Sequence, residues 1–381
     1  MDTVAAAEKL ATVVRERADE IEAARRLPAD LARRFSEEGL CRLLVPEAYG
    51  GLEVPPAQML ATVEALARGD GSCAWCVFIY ATSGTLLAYL PEAEARAIFS
   101  SPGTKLAGVF APMGEAVEEG EGFRVNGRWQ WGSGTEHAEW VMGGCRLVRD
   151  GVPDTGPNGA PVPRLLLAPA SDVTFFDTWN VSGLCGTGST DFAMEDVFVP
   201  ATRVAGISID RPLDRPLYAF PNFALLALGI AGVAMGLARA SIDELARLAG
   251  GKTPQGSARS LANRPHTQSE VARAEAGLRS ARAFLLEAVD RAWEVASSDG
   301  RIPVEQRRDL RLATSWATGA SAEAVDRVYA LGGGSSVYRA SPLQRIFRDV
   351  HVATQHMMVS ASTYELTGRL LLGLETDTTF L

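Results

Sequence analysis

Cysteine pairs, basic blocks and clustered histidines are all missing from this chain of 381 residues. The five cysteines, Cys41, Cys73, Cys76, Cys145 and Cys185, are odd in number and scattered, which fits reduced thiols rather than a disulfide framework. Cys73 and Cys76 have the spacing of a redox pair, but they lie inside a helical pattern with no second pair, so they read as small buried hydrophobes. Only four histidines occur, none in a ligand spacing with Cys or Glu, which argues against a protein-bound metal. A net charge of −9 with no basic run argues against a nucleic-acid surface. No Gly-x-Gly-x-x-Gly follows a strand, so no dinucleotide-binding unit is visible. The opening residues, Met1 to Lys9, lack the charged start and apolar run of a secretory leader, and a cytoplasmic enzyme is expected. The one uncharged stretch, Leu217 to Ala238, is long enough to span a bilayer. Pro221 and Asn222 interrupt its start and Gly229, Gly232 and Gly236 keep it thin, so it is expected as a helix buried on all sides, with no membrane partner.

What is present is an ordinary globular composition, 47% hydrophobic and 22% charged. The patterning falls into three zones. Residues 1–104 read as helices: Leu10, Val13, Val14 and Ile21 recur at helical spacing, Pro28 opens a second helix, and Gly39 closes it. Pro55 to Arg68 and Ser72 to Leu90 follow, parted by Gly69-Asp70-Gly71 and ended by Pro91. Residues 105–212 turn to strands. Phe123 to Val125 and Arg128 to Trp131 flank Asn126-Gly127, a hairpin signal. Trp140 to Met142, Arg164 to Leu167 and Phe192 to Val199 are further strands, with a surface loop over Asp150 to Pro163. Residues 213–381 return to helix in four long segments, broken at Gly250-Gly251, Asp299-Gly300 and Gly332-Gly333-Gly334. The fold class is α+β: an N-terminal helical domain, a middle β-barrel or sandwich domain, and a C-terminal four-helix bundle.

Several segments, in order, resemble the acyl-CoA dehydrogenase superfamily. They are Leu44-Val45-Pro46-Glu47-Ala48-Tyr49-Gly50-Gly51, Asn126-Gly127 with Trp129-Gln130-Trp131-Gly132-Ser133, Gly183 to Ser189 followed by Val197-Phe198-Val199-Pro200, and Gly332-Gly333-Gly334 ahead of Arg348-Asp349. The family carries its catalytic glutamate on the helix of that last arginine and aspartate. Here Met357 stands at the matching place with His356 beside it, and a thioether cannot abstract a proton. Trp131-Gly132-Ser133-Gly134 and His356 together resemble the two-component flavin monooxygenases built on this fold.

That resemblance implies a reduced flavin, FMNH2 or FADH2, reacting with O2 to form a C4a-hydroperoxide that hydroxylates an aromatic or polycyclic small molecule. It also implies a separate NAD(P)H:flavin reductase and a homotetramer. Trp131 and Ser133 match the positions that approach the flavin ring, an indole giving a flat wall and a hydroxyl able to donate near N5. Read alone, they are a core tryptophan and a turn serine. Arg259 matches the arginine that meets the cofactor phosphates, and Gln268 the glutamine after it, although Ala262-Asn263 replaces the family's Phe-Gly and leaves FMN or FAD open. Gly332 and Gly333 either admit a ligand close to the backbone or end a helix. His356 is the expected base for a phenolic substrate; the alternative is a core histidine bonded to a carbonyl. His137 is either an entrance residue or a loop residue, and Trp75, Tyr80 and Phe220 are expected around the substrate. Two other readings stay open: a thioester dehydrogenase with a base from elsewhere, for which Glu244 reads as polar face, and a scaffold that keeps only the fold.

Overall fold

The computed structural model describes residues 1–155, 162–207, 212–298, 300–379 and 381. Part of the expected loop (156–161) and the breaker residue Asp299 lie outside the described residues. The first third holds α1 (Thr3–Glu16), α2 (Ala18–Ala24), α3 (Ala29–Glu37), α4 (Pro56–Ala67), α5 (Gly71–Gly84) and α6 (Glu92–Ile98). Asp70 caps α5 by accepting the Cys73 amide at 2.9 Å, and the segment after Gly84 tightens into a 3-10 turn over Thr85–Tyr89. Short α6 was not foreseen; it follows Pro91, which stops one helix and starts the next.

The middle third is one mixed sheet of β1 (Leu106–Glu119), β2 (Gly122–Gly132), β3 (Trp140–Arg149), β4 (Val152–Pro153), β5 (Pro163–Pro169), β6 (Thr174–Phe176), β7 (Thr190–Pro200) and β8 (Val204–Ala205). The order is β6-β7-β2-β1-β3-β5-β8, with β4 on β3 and only β1–β3 parallel. The expected hairpin at Asn126-Gly127 is corrected here. The β1–β2 turn is the two-residue Gly120-Glu121, where Gly120 has φ +58°, and Asn126-Gly127 lies within β2. Asn126 accepts the Asp196 amide at 2.9 Å beside a register shift against β7. Gly127 is there for closeness: a Cβ would stand 2.6 Å from Gly114 Cα and 2.8 Å from the Trp129 ring. Trp129 fills the inside of the sheet. It stacks on Phe192 at 5.2 Å, donates from Nε1 to the Gly144 carbonyl at 2.8 Å, and lies against Gly114, Gly127 and Gly143.

The last third contains α7 (Pro216–Ala219), α8 (Asn222–Gly251), α9 (Pro265–Ser298), α10 (Val304–Gly332), α11 (Pro342–Thr354) and α12 (Ala361–Leu371). The fourth long helix expected from the sequence is in fact two, parted by a turn at residues 355–360. α8, uncharged as far as Ala238, is the central rod. Gly229 meets the Phe78 ring, and Gly236 meets the α4 backbone at Glu64, so the helices approach more closely than any side chain would allow. Two segments, Gly71–Tyr89 and Asn222–Gly251, are apolar and long enough to cross a membrane, and their apolar windows are 100% and 83% buried inside the protein. One continuous core joins the first and last thirds: Leu10, Leu60, Phe78, Val233, Leu285, Val325 and Val350 belong to it together.

Gly143→Ala should destabilise the fold by about 1–3 kcal/mol, because its Cβ would stand 2.6 Å from a Trp129 ring that is fixed on both faces. A urea midpoint that falls at unchanged slope is the expected result.

Candidate active site

Where α5 meets the end of β2, the indole Nε1 of Trp75 donates to Ser133 Oγ at 3.1 Å. Ser133 Oγ lies 2.7 Å from Ser189 Oγ, which lies 2.7 Å from Thr187 Oγ1, which donates to the Leu184 carbonyl at 2.8 Å. All four side chains are buried. Leu184 holds φ +49° and gives its own amide to Asp349 Oδ1 at 2.6 Å. The α11 carboxyl thus anchors the loop that carries the hydroxyls.

His356 sits in the turn after α11, its ring centroid 6.0 Å from that of Trp75. Its Nδ1 accepts the Met358 amide at 3.2 Å, so a neutral ring carries its proton on Nε2. Burial, reinforced by the Arg311 charge, draws its pKa down to about 4. At neutral pH His356 is a neutral ring whose Nδ1 is occupied by backbone and which offers an Nε2–H, a geometry that suits a donor better than the expected base. Met357, at the place of the family's glutamate, is 60% exposed. His351 is turned elsewhere, 2.8 Å from Asp326.

Arg311, from α10, is a component that the sequence did not single out. It is 2% exposed, donates to the Met358 carbonyl at 2.5 Å and more weakly to Thr363 Oγ1 at 3.5 Å, and its Nε has no partner among the described residues. Burial lowers its pKa to about 10, which leaves it charged. In the sequence it sits between Leu310 and Leu312 just after the charged Arg307-Arg308-Asp309, and its burial was not singled out.

The residues suit a flat, polar-edged ring. Trp131 holds φ +65°, a left-handed conformation that is uncommon for a bulky residue, and leaves its indole 65% exposed. Ser133 donates its amide to the Trp131 carbonyl at 2.9 Å. Thr190, paired with Gly132 across β2 and β7, buries a hydroxyl that has no partner among the described residues. An exposed indole two residues before a buried hydroxyl row can offer an isoalloxazine a flat wall and a polar edge. No three His, Cys, Asp or Glu among the described residues form a group that could hold a metal ion.

Of the other expected site residues, Tyr80 adjoins this cluster through the residue after Ser133, while His137, Arg259, Gln268, Gly332 and Gly333 have their partners elsewhere. Tyr80 is fully buried and donates to the Gly134 carbonyl at 3.1 Å; Phe220 is buried in the helical core. His137 Nε2 lies 2.8 Å from the Leu27 carbonyl and lines a separate cleft of about 560 Å³ with Arg33, Arg42, Lys105 and Glu139. Gln268 donates to the Ala262 carbonyl at 3.0 Å, and Arg259 is exposed. Arg259 follows the far end of α8 and Gln268 opens α9 beside it, where Lys252 donates to the Gly332 carbonyl at 2.5 Å and Gly333 holds φ +51°, ψ −139°. Phe78 meets Gly229 and Gly71 meets Leu237, so that end is about 30 Å from Trp75 at 1.5 Å per helical residue.

Asp349 and Asp70 are the buried acids of this region. Each accepts a backbone amide, from Leu184 and Cys73 respectively, and neither is among the groups acting on His356. Burial first, then the Asp70 carboxylate, raises the Asp349 pKa to about 7.

A helical body with an inserted mixed sheet, and this junction between them, is the architecture of the acyl-CoA dehydrogenases. Residues 3–97 match the acyl-CoA dehydrogenase N-terminal domain family, and residues 228–361 the acyl-CoA dehydrogenase C-terminal domain family. An indole-3-acetate monooxygenase of Pseudomonas putida is 36% identical over 96% of this chain and 93% of its own length. The flavin-dependent monooxygenase oxygenase subunit HsaA of Rhodococcus jostii (strain RHA1) is 29% identical over 91% of this chain and 92% of its own. The solved structure of XiaF from Streptomyces sp., in complex with FADH2 and glycerol, superposes with a TM-score of 0.90 at 28% identity, covering 98% of this chain and 95% of that one. The chain belongs to the flavin-dependent monooxygenase branch of the acyl-CoA dehydrogenase superfamily.

Two pH effects follow. The buried neutral His356 stabilises the fold above its unfolded pKa of 6.5, and that contribution is lost as pH falls through about 4; a ring NMR titration should find no protonation of His356 until near pH 4. Asp349 has the opposite sign. Its contribution is complete below the unfolded value of 3.8 and is lost as pH rises through about 7. Asp349→Asn keeps an oxygen for the Leu184 amide and removes the charge, so thermal midpoints should match the parent at acid pH and exceed it above neutrality. Parallel curves for the two proteins would contradict this.

Proposed function

We propose that this chain is the oxygenase of a two-component pair, inserting one oxygen atom of O2 into an electron-rich aromatic or polycyclic small molecule. Bound reduced flavin supplies the two electrons and activates O2; the second oxygen atom leaves as water. The observation that carries this reading is the meeting of Trp75, Ser133 and His356 with no carboxylate acting on the histidine. A thioester dehydrogenase needs such a base, and Glu244 is engaged with Arg247 at 2.5 and 3.0 Å.

Trp131 walls one face of the ring, and Ser133 meets its polar edge. His356 directs Nε2–H at an oxygen of the substrate and favours its anionic, more nucleophilic form. The buried side chains around Trp75 exclude water. Arg259, Gln268, Gly332 and Gly333 act on the cofactor's phosphate end. Their distance of about 30 Å from Trp75 favours a flavin held across two copies, within a homotetramer. With no dinucleotide-binding unit among the described residues, reduced flavin comes from a separate NAD(P)H:flavin reductase, in the cytoplasm.

Mixing anaerobically reduced flavin and protein with O2 in a stopped-flow instrument should give a transient absorbance distinct from both reduced and oxidised flavin; monotonic reoxidation would overturn the oxygenase reading. His356→Ala should lower product formation on the order of a hundredfold while leaving flavin affinity intact. His356→Gln, which retains a side-chain N–H, should recover part of that loss. Equal loss in both variants would mean that the ring acts as a base.

A further inference from the structure

We propose that Ser189 and Thr187 are positioning residues that fix the direction of the Ser133 hydroxyl, so that Ser133 meets the flavin edge with a lone pair and not with its proton. This rests on the placement of Ser133 at the ring and goes beyond it, because it assigns the direction of the contact and the two residues that set it.

The assignment comes from counting protons. A hydroxyl has one to donate. Thr187 Oγ1 lies 2.8 Å from the Leu184 carbonyl, an oxygen that can only accept, so the Thr187 proton is committed there. The 2.7 Å contact between Thr187 and Ser189 then requires Ser189 to donate. The 2.7 Å contact between Ser189 and Ser133 in turn requires Ser133 to donate. At the other end, the Trp75 indole N–H can only donate, and it takes one lone pair of Ser133 Oγ at 3.1 Å. Every bond therefore runs one way, from Trp75 through Ser133, Ser189 and Thr187 to Leu184.

Ser133 is left with a single free lone pair. The donor expected of it from the sequence is thus an acceptor. A reduced flavin carries an N–H at N5, and a fixed acceptor opposite that group holds its proton in place, where a freely rotating hydroxyl would not. Burial of all the members keeps water from supplying a substitute partner, and polarisation along an aligned chain strengthens each bond in it. The chain ends on a peptide that is itself held, since the Leu184 amide donates to Asp349.

The test uses Ser189→Ala, Thr187→Val and Ser133→Ala, with Thr187→Ser as the variant that keeps the hydroxyl; thermal midpoints check that each folds. In the flavin-free protein, the indole N–H resonance of Trp75, assigned among the seven tryptophans with Trp75→Phe, should move in Ser189→Ala and Thr187→Val and stay in place in Thr187→Ser. With reduced flavin and O2, the transient absorbance should decay roughly five- to tenfold faster in the first two variants, the equivalent of about one net hydrogen bond. Thr187→Ser should decay as the parent does. An unmoved Trp75 resonance and unchanged decay in Ser189→Ala and Thr187→Val, with faster decay in Ser133→Ala, would overturn the role of the chain and leave Ser133 at the ring. Unchanged decay in Ser133→Ala would instead remove Ser133 from the ring, even if the Trp75 resonance still moved.

Discussion

The hydrogen bond from the Trp75 indole to Ser133 Oγ ties the helical body to the sheet at the point where chemistry is expected. Trp75 belongs to a helix that is apolar on all sides, and Ser133 to the end of a strand in a different core. Neither half contains a site alone. The buried indole N–H would be costly to leave unpaired, so the sheet must dock with the serine in register. That requirement places Trp131 and the loop of Leu184 to Ser189 around the same spot.

The polar groups of this region are satisfied mostly by backbone. Asp349 takes the Leu184 amide, Asp70 the Cys73 amide and His356 the Met358 amide, while Arg311 gives to the Met358 carbonyl. Backbone partners cannot rotate away, so each group is held in one direction. A nearly buried guanidinium that meets a carbonyl rather than a carboxylate remains a net positive charge beside the imidazole, which is one reason the ring stays neutral.

Much of the architecture was legible because breakers and periodicity are local. Pro28, Gly39, Pro91 and Pro200 stand at the ends of elements, and the helix uncharged as far as Ala238 was readable from Gly229, Gly232 and Gly236. Asn126-Gly127 misled because the glycine serves a close approach to Gly114 on the neighbouring strand and to the Trp129 ring, a pairing that the hairpin signal does not encode. In the site, residue types were legible and directions were not. Trp131, Ser133 and His356 stood out by position. Whether Ser133 gives or receives a proton depends on Thr187 and Ser189, more than fifty residues away, and the His356 tautomer depends on a turn that interrupts an expected helix. Arg311, between Leu310 and Leu312, was not singled out.

The core shared by the first and last thirds has a consequence for synthesis. The helices α4 and α5 bury their apolar faces chiefly on α8, which leaves the ribosome roughly 150 residues later, a delay on the order of ten to thirty seconds at ordinary translation rates. Until then α4 and α5 are covered only in part, by α1 and by one another. The nascent chain is therefore a natural client for chaperones during that interval.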